Sequence, residues 1–168
     1  MTISMYQASV PTMIRALNNL AAVLDKADQH AAAKNIEPAA LVQARLYPDM
    51  FPLAKQVQIA SDISKGGAAR LAQAEPPAFE DSETTFPQLI ERVKKTVAFL
   101  ETLKPQQIDG SEARTVTWKT RTATRSMEGQ PYLLNHVLPN VFFHCTTAYD
   151  ILRHNGVEIG KQDFLGKS

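Results

Sequence analysis

The sequence predicts an all-α protein: a four-helix bundle with one short extended or hairpin segment before the last helix. Three observations carry this. Apolar residues recur at three- and four-residue steps in four separate stretches of the 168-residue chain, the period of a helix with one buried stripe. Strands and helices nowhere alternate, and no repeat of about 20–50 residues stands out, which sets aside parallel α/β folds and solenoids. A single β-branched run, Ala113 to Thr122, interrupts the helical pattern before the fourth stretch. Residues 1–168 are expected to form one domain, long enough to bury a core without cross-links.

The first helix is expected from about Ser4 to Ala33. Val10, Ile14, Leu17, Ala21 and Leu24 make its stripe, widened by Met13 and Leu20. Pro11 predicts a kink or a delayed start, because it lacks an amide hydrogen and its ring crowds the preceding turn. After Pro38 a short segment runs from Ala39 to Leu46. The second long helix is predicted over about Met50 to Ala72, with Asp49 as N-cap and Pro52 in the first turn. Leu53, Val57, Ala60, Ser64, Ala68 and Leu71 share its buried face. Gly66-Gly67 weakens it by about 1 kcal/mol per glycine relative to alanine, which close approach of a neighbouring helix would explain.

Glu75 to Ser82 is an acidic, proline-containing loop. Thr85-Phe86-Pro87-Gln88 then reads as a capping box and opens the third helix, Phe86 to Leu103, with Leu89, Val93, Val97 and Leu100 inward and Pro105 as its stop. Gly110 and Gly129 bracket the extended segment. The fourth helix has a lead-in from Pro131 to Leu138 and a body from Pro139 to His154. Proline at a first helical position opens the body, and Gly156 in a left-handed conformation closes it. Arg153 and His154 complement the negative end of its dipole. Val157 to Ser168 is expected to be a docked loop.

Composition narrows the function. Eighteen basic and 17 acidic residues leave a net charge of +1, which offers no global attraction for nucleic acid or an anionic membrane. Arg114, Lys119, Arg121 and Arg125 surround Trp118, but binding of single strands calls for several exposed aromatic platforms. A solvated hairpin face with Trp118 packed on the bundle is the simpler reading, and no nucleic-acid partner is expected. The N-terminus lacks a basic stretch followed by an apolar one, and no apolar run approaches the ~20 residues of a membrane span, so a cytoplasmic protein without a membrane partner is expected. Cys145 is the single cysteine and can form no intramolecular disulfide. Glycine-rich phosphate loops and the Gly-x-Ser-x-Gly elbow are absent.

Chemistry concentrates on the fourth helix. Asn140 and His144 lie one turn apart on one face, the geometry of a two-ligand metal site with one histidine replaced. Tyr149 and Asp150 follow as acid and base candidates, with structural hydrogen bonding the plainer role for both. Cys145 adjoins His144, but neighbouring helical residues diverge by ~100° and make no Cys–His dyad. His136 stands a turn before Asn140, across Pro139. In a continuous helix it would lie ~12 Å from His144 along the axis, too far to share an ion. His154 suits the helix end and His30 an exposed alanine-rich one.

The segments Pro139-Asn140-Val141-Phe142-Phe143-His144, Thr146 to Tyr149, Ile151 to Lys161 and Asp163 to Gly166 resemble the C-terminal signature of an uncharacterised bacterial family known only as a domain of unknown function. Leu46, Pro48-Asp49-Met50 and Gln56-Val57 resemble its earlier motif. The resemblance spans essentially the whole chain. That family is similar to the DinB/YfiT-like superfamily of four-helix bundles, which implies a DinB-like bundle and a homodimer joined through flat helix faces. Many members of the superfamily depend on a metal, and some transfer low-molecular-weight thiols or isomerise thiol-linked substrates. Their three metal-binding histidines come one from the second helix and two, four residues apart, from the fourth. By that resemblance the fourth-helix pair falls on Asn140 and His144, and Gln56 stands nearest the third position, since no histidine lies between Ala31 and Asn135.

One imidazole and two amide oxygens make a weak site for Zn²⁺ or Ni²⁺. The same three groups would also satisfy one another as a buried polar network. The function expected is binding of a small molecule between the helices at a degenerated metal site, oriented by His144, Asn140, Gln56 and Tyr149. The alternative is a metal-dependent enzyme of the thiol-transferase type, with a divalent metal such as Zn or Ni on His144 and Asn140. A third expectation is an interaction protein acting through the hairpin or the tail.

Overall fold

The computed structural model describes residues 2–120 and 122–166. In chain order these form α1 (Met5–Lys34), α2 (Pro38–Val42), α3 (Leu53–Ala72), α4 (Phe86–Thr102), α5 (Pro105–Ile108), β1 (Thr115–Lys119), β2 (Thr124–Glu128), α6 (Gly129–Tyr132), a π turn (Leu133–Val137), α7 (Leu138–His154) and α8 (Lys161–Leu165). The four long helices α1, α3, α4 and α7 make the bundle. α1 packs beside α4 and α7, and so does α3, leaving α1 diagonal to α3 and α4 diagonal to α7. Each diagonal step needs a long connection. α2 and its following loop supply the first, α5 and the β1–β2 hairpin the second.

The predicted stripes are the core. Val10, Met13, Leu17, Leu20 and Leu24 of α1 are buried, as are Leu53, Val57, Ala60 and Leu71 of α3, Leu89, Val93, Val97 and Leu100 of α4, and Val141, Ala148, Ile151 and Leu152 of α7. Ile14 and Ala21 flank the core half-buried. Ser64 fits in the stripe because its hydroxyl donates to the Ala60 carbonyl at 2.7 Å, so no polar group is orphaned. Gly67 meets its expected neighbour: a Cβ there would lie 2.6 Å from Val137 Cγ1, so the glycine lets the π turn press against α3. The Thr85–Gln88 capping box is present.

Several boundaries differ, each for a local reason. α1 begins before Pro11 and continues through it; the delayed start does not occur. Ser4 and Gln7 form a capping box, with Gln7 N–H donating to Ser4 Oγ at 3.3 Å and Ser4 N–H to Gln7 Oε1 at 3.2 Å, which fixes the helix start upstream of the proline. α2 ends at Val42 rather than Leu46. α3 begins at Leu53, not Met50, and Asp49 is not its N-cap. The residue before a proline is pushed out of the helical region, so Phe51-Pro52 stays extended, with Pro52 at the cap position. Asp49 sits instead in a turn closed by Met50 N–H to the Tyr47 carbonyl at 3.0 Å. Pro105 does follow the end of α4, but it opens α5.

The fourth helix does not start at Pro139. It runs from Gly129 through the π turn into α7, and Leu138 N–H donates to the Leu133 carbonyl five residues back. Proline at 139 has no N–H to close an ordinary α-turn onto Asn135, and the wider turn accommodates that gap. The helix ends as expected: Gly156 has φ of +90°, and Val157 N–H reaches the Leu152 carbonyl at 3.1 Å, the wrap of a left-handed cap. The tail is docked, but as a short helix rather than a loop. α8 lies on α1, held by Arg15 to the Leu165 carbonyl at 3.1 Å, Asn19 to the Phe164 carbonyl at 3.0 Å and Lys26 to Asp163 at 2.6 Å. Lys167 and Ser168 lie outside the described residues.

Candidate functional site

His144 projects from the middle of α7 toward the first turn of α3. Its Nδ1 lies 2.7 Å from Gln56 Oε1, so two positions 88 residues apart in sequence meet in the core. Gln56 Nε2 donates to the Phe51 carbonyl at 3.1 Å. An amide whose nitrogen is engaged that way must present its oxygen to the imidazole, so the proton sits on His144 Nδ1 and Nε2 carries a lone pair. Burial lowers the His144 pKa and keeps the ring neutral. His144 makes no second hydrogen bond among the described residues. Nε2 is also not among the sealed polar atoms lacking a partner, which are Ser61 Oγ, Arg92 Nε and Ser111 Oγ. Phe143 packs edge-on against the ring, centroids 5.2 Å apart. A shallow hollow of ≈ 460 Å³ opens between α7 and the loop after α2, bordered by Leu46, Met50, Phe143 and Thr147; neither His144 nor Asn140 is among the residues that line it.

The other two expected site residues are placed differently. Asn140 is one turn before His144, but its Nδ2 donates to the His136 carbonyl at 2.6 Å, back along its own helix. Tyr149 leaves α7 on another face. It lines a mostly apolar cleft of ≈ 260 Å³ between α1, α7 and α8, with Ala16, Leu20, Cys145 and Phe164. Its hydroxyl approaches the Ile159 carbonyl at 3.5 Å. The structure thus pairs His144 with Gln56, keeps Asn140 nearby but engaged with backbone, and separates Tyr149 from all three. Cys145 is buried and its thiol is pushed up to about 12 by loss of solvent, which leaves no thiolate to act.

These donors do not fit a transition metal. Gln56 Oε1 is committed to the imidazole, so the groups left uncommitted are one histidine nitrogen and the Asn140 amide oxygen. Zn²⁺ and Ni²⁺ sites are built from several imidazoles, thiolates or carboxylates, and no group of three or more His, Cys, Asp or Glu is placed to hold a metal ion among the described residues. Gln56 takes a different role from a ligand: it orients the histidine, as outer carbonyls do around metal-bound imidazoles.

Two polar clusters escaped the sequence reading. Arg92 of α4 is buried, yet it contacts Asp62 at 2.8 Å, Asp81 at 3.0 Å and Glu83 at 2.9 Å. Lys55 reaches Asp81 at 2.6 Å and Lys65 reaches Asp62 at 2.9 Å. Burial alone would raise the carboxyl pKa values of Asp81 and Glu83, but contacts with Lys55 and Arg92 for the first, and with Arg92 for the second, lower them. The signal was available: an arginine between Leu89 and Val93 on an inward stripe, downstream of an acidic loop. In the second cluster Trp118, Tyr132 and His136 stack together beside Arg70 and Arg125. Trp118 is packed on the bundle, as the sequence suggested. Its proximity to His136 was hidden by the π turn, which no helical period reveals.

Four long helices joined by two long diagonal connections, with a small hairpin before the last, make the DinB-like bundle that the sequence suggests. Comparison with solved structures bears this out. The chain matches a DinB family member protein from Shewanella denitrificans, with 38% identity, a TM-score of 0.88 and coverage of 97% of this chain and 92% of that one. The family model for the domain of unknown function DUF1993 matches residues 5–165, and the chain belongs to that family. Comparison with curated proteins gives no match. No described helix is long and apolar enough to cross a membrane.

Proposed function

We propose that this DinB-like bundle binds a small organic molecule at the vestige of its superfamily's metal site, with His144 Nε2 accepting a hydrogen bond from the ligand. The 2.7 Å His144–Gln56 contact carries this reading. It supports a fixed tautomer with Nε2 as a neutral acceptor and occupies the Gln56 oxygen. A hydroxyl, amine or thiol would bond to Nε2 while the ligand's apolar part lies over Phe143, Leu46 and Met50. Asn140 Oδ1, on the same face, adds a second acceptor. Exposed Tyr47, Phe51, Phe142 and Phe143 also support the expected homodimer, in which a second copy would roof this hollow.

The cleft beneath α8 supports a second location for the ligand, because it is mostly apolar and Tyr149 lines it. NMR screening with a library of small phenols and thiols separates the two. His144→Ala should remove binding at the first site. Ala16→Leu, which fills the cleft, should leave it intact. Binding lost only with Ala16→Leu moves the ligand to the cleft, and binding indifferent to both variants overturns the proposal. The metal-dependent thiol-transferase reading is tested separately by elemental analysis of untagged protein before and after reconstitution with Zn²⁺, Ni²⁺ and Mn²⁺. Near-stoichiometric metal lost in His144→Ala would establish a metal centre, against the donor argument above.

A further inference from the structure

The hairpin and the π turn build a second concave site at the opposite side of Pro139. Trp118 and Arg125 are direct cross-strand partners, so both side chains leave the same face of the two-stranded sheet. That face covers α6 and the π turn. Trp118 lies 4.8 Å from the Tyr132 ring and 4.7 Å from the His136 ring, and Tyr132 stacks on His136 at 5.5 Å. Trp118 and Tyr132 are buried, so they serve as walls and are not open to stack on bases. Between the sheet and the turn is a hollow of ≈ 410 Å³ bordered by Arg125, Ser126, Asn135 and His136. Polar groups dominate its rim.

The charge balance of this hollow is one-sided. Arg125 has no carboxylate partner among the described residues, and neither has Arg70. Arg70 reaches in from α3, where its Nη1 donates to the Tyr132 hydroxyl at 3.2 Å. The charged groups that act on His136 are Arg70 and Arg125, both cationic. Burial first, then these two charges, lower its pKa. Both guanidiniums are exposed, whereas the buried Arg92 has three carboxylates. Arg125 and His136 border the polar hollow with Arg70 behind them, and no carboxylate lines it among the described residues. The π turn is what presents Asn135 and His136 there, and such turns recur at functional sites.

We propose that the hollow between β2 and the π turn binds a small dianion of the phosphate-monoester class, gripped by Arg125 with His136 and Asn135 as further donors and Arg70 supplying positive potential from behind. Arginine suits this role because its planar fork matches phosphate oxygens. Binding takes up a proton at His136: the anion reverses the field that disfavours the imidazolium, and the imidazolium adds a charge-assisted hydrogen bond. Affinity for the dianion therefore rises as His136 takes up a proton, and protonation of the phosphate itself, with a second pKa of about 6, opposes that rise at lower pH. The site is independent of His144.

The test is an NMR titration of the His136 ring resonance with inorganic phosphate and with methyl phosphate, against sodium chloride at matched ionic strength. The expected result is a saturable shift with either phosphate, an upward move of the His136 pKa at saturation, and weakening of about tenfold or more in Arg125→Gln. Arg125 is exposed on a strand, and circular dichroism with Trp118 fluorescence verifies that the variant is folded. A shift no larger than that from chloride, a shift that Arg125→Gln leaves unchanged, or equal saturation in a parallel titration with sodium acetate overturns the proposal.

Discussion

Two buried polar side chains cross between helices in this bundle, Arg92 from α4 and His144 from α7, and both meet α3. Their surroundings are opposites. Arg92 is surrounded: Asp62, Asp81 and Glu83 answer its charge, Lys55 and Lys65 extend the network, and only Nε lacks a partner. His144 has one partner, Gln56, and keeps a lone pair unused. Saturation marks a polar group whose task is to hold structure, here to pin the acidic loop across α3 and α4. A group oriented on one side and left open on the other is shaped for something the chain does not itself provide.

The largest effect that would break this comparison is at Arg92. Arg92→Met removes the centre of a buried network and should destabilise the protein by about 3 kcal/mol, lowering the melting temperature by roughly 10 °C. Calorimetry checks this, and a loss within error would mean that the network is incidental. Next comes the His144–Gln56 pair. A double-mutant cycle with His144→Leu and Gln56→Leu should return a coupling of about 0.5–1.5 kcal/mol; zero coupling would remove the tautomer argument.

The smallest effects are in pH dependence, and the two regions should part there. His144 is a base with a lowered folded pKa, so the unfolded chain takes up its proton first. Its contribution is complete above its ordinary value of 6.5 and shrinks as pH falls from there through the lowered value. His136 acts in the same direction. Asp81 and Glu83 are acids with lowered folded pKa values. Their contribution is complete above the ordinary carboxylate range and is lost only as pH falls below about 4. Urea denaturation from pH 8 to 3 should show a shallow decline first and a steeper one after it. His144→Gln should flatten the first, and Arg92→Met the second.

The bundle was legible because its evidence is periodic and local. Each inward stripe repeats over several turns, and the Thr85–Gln88 box and Gly156 announce their helix ends within a few residues. Gln56 and His144 were also legible as neighbours, through family resemblance rather than periodicity. Their roles were not, because only the Phe51 carbonyl decides which end of the Gln56 amide faces the ring. Pro139 misled in a specific way. It looks like a helix start, and it instead sits two residues past the end of a turn that absorbs its missing amide. Beyond such a turn the helical wheel is rotated by about one residue, ~100°, so Tyr132 and His136 cannot be placed on a face by counting back from His144. Tyr149 was assigned to the His144 site by chain proximity, although five residues of helix turn it away.

Cys145 turns the cleft beneath α8 into a clock. Its thiol lines the cleft and is buried there, and with its pKa pushed up to about 12 almost none of it is reactive while α8 is down. A thiol-directed reagent should therefore modify it slowly in the native protein and quickly in urea, and a ligand lodged in the cleft should slow the native rate further.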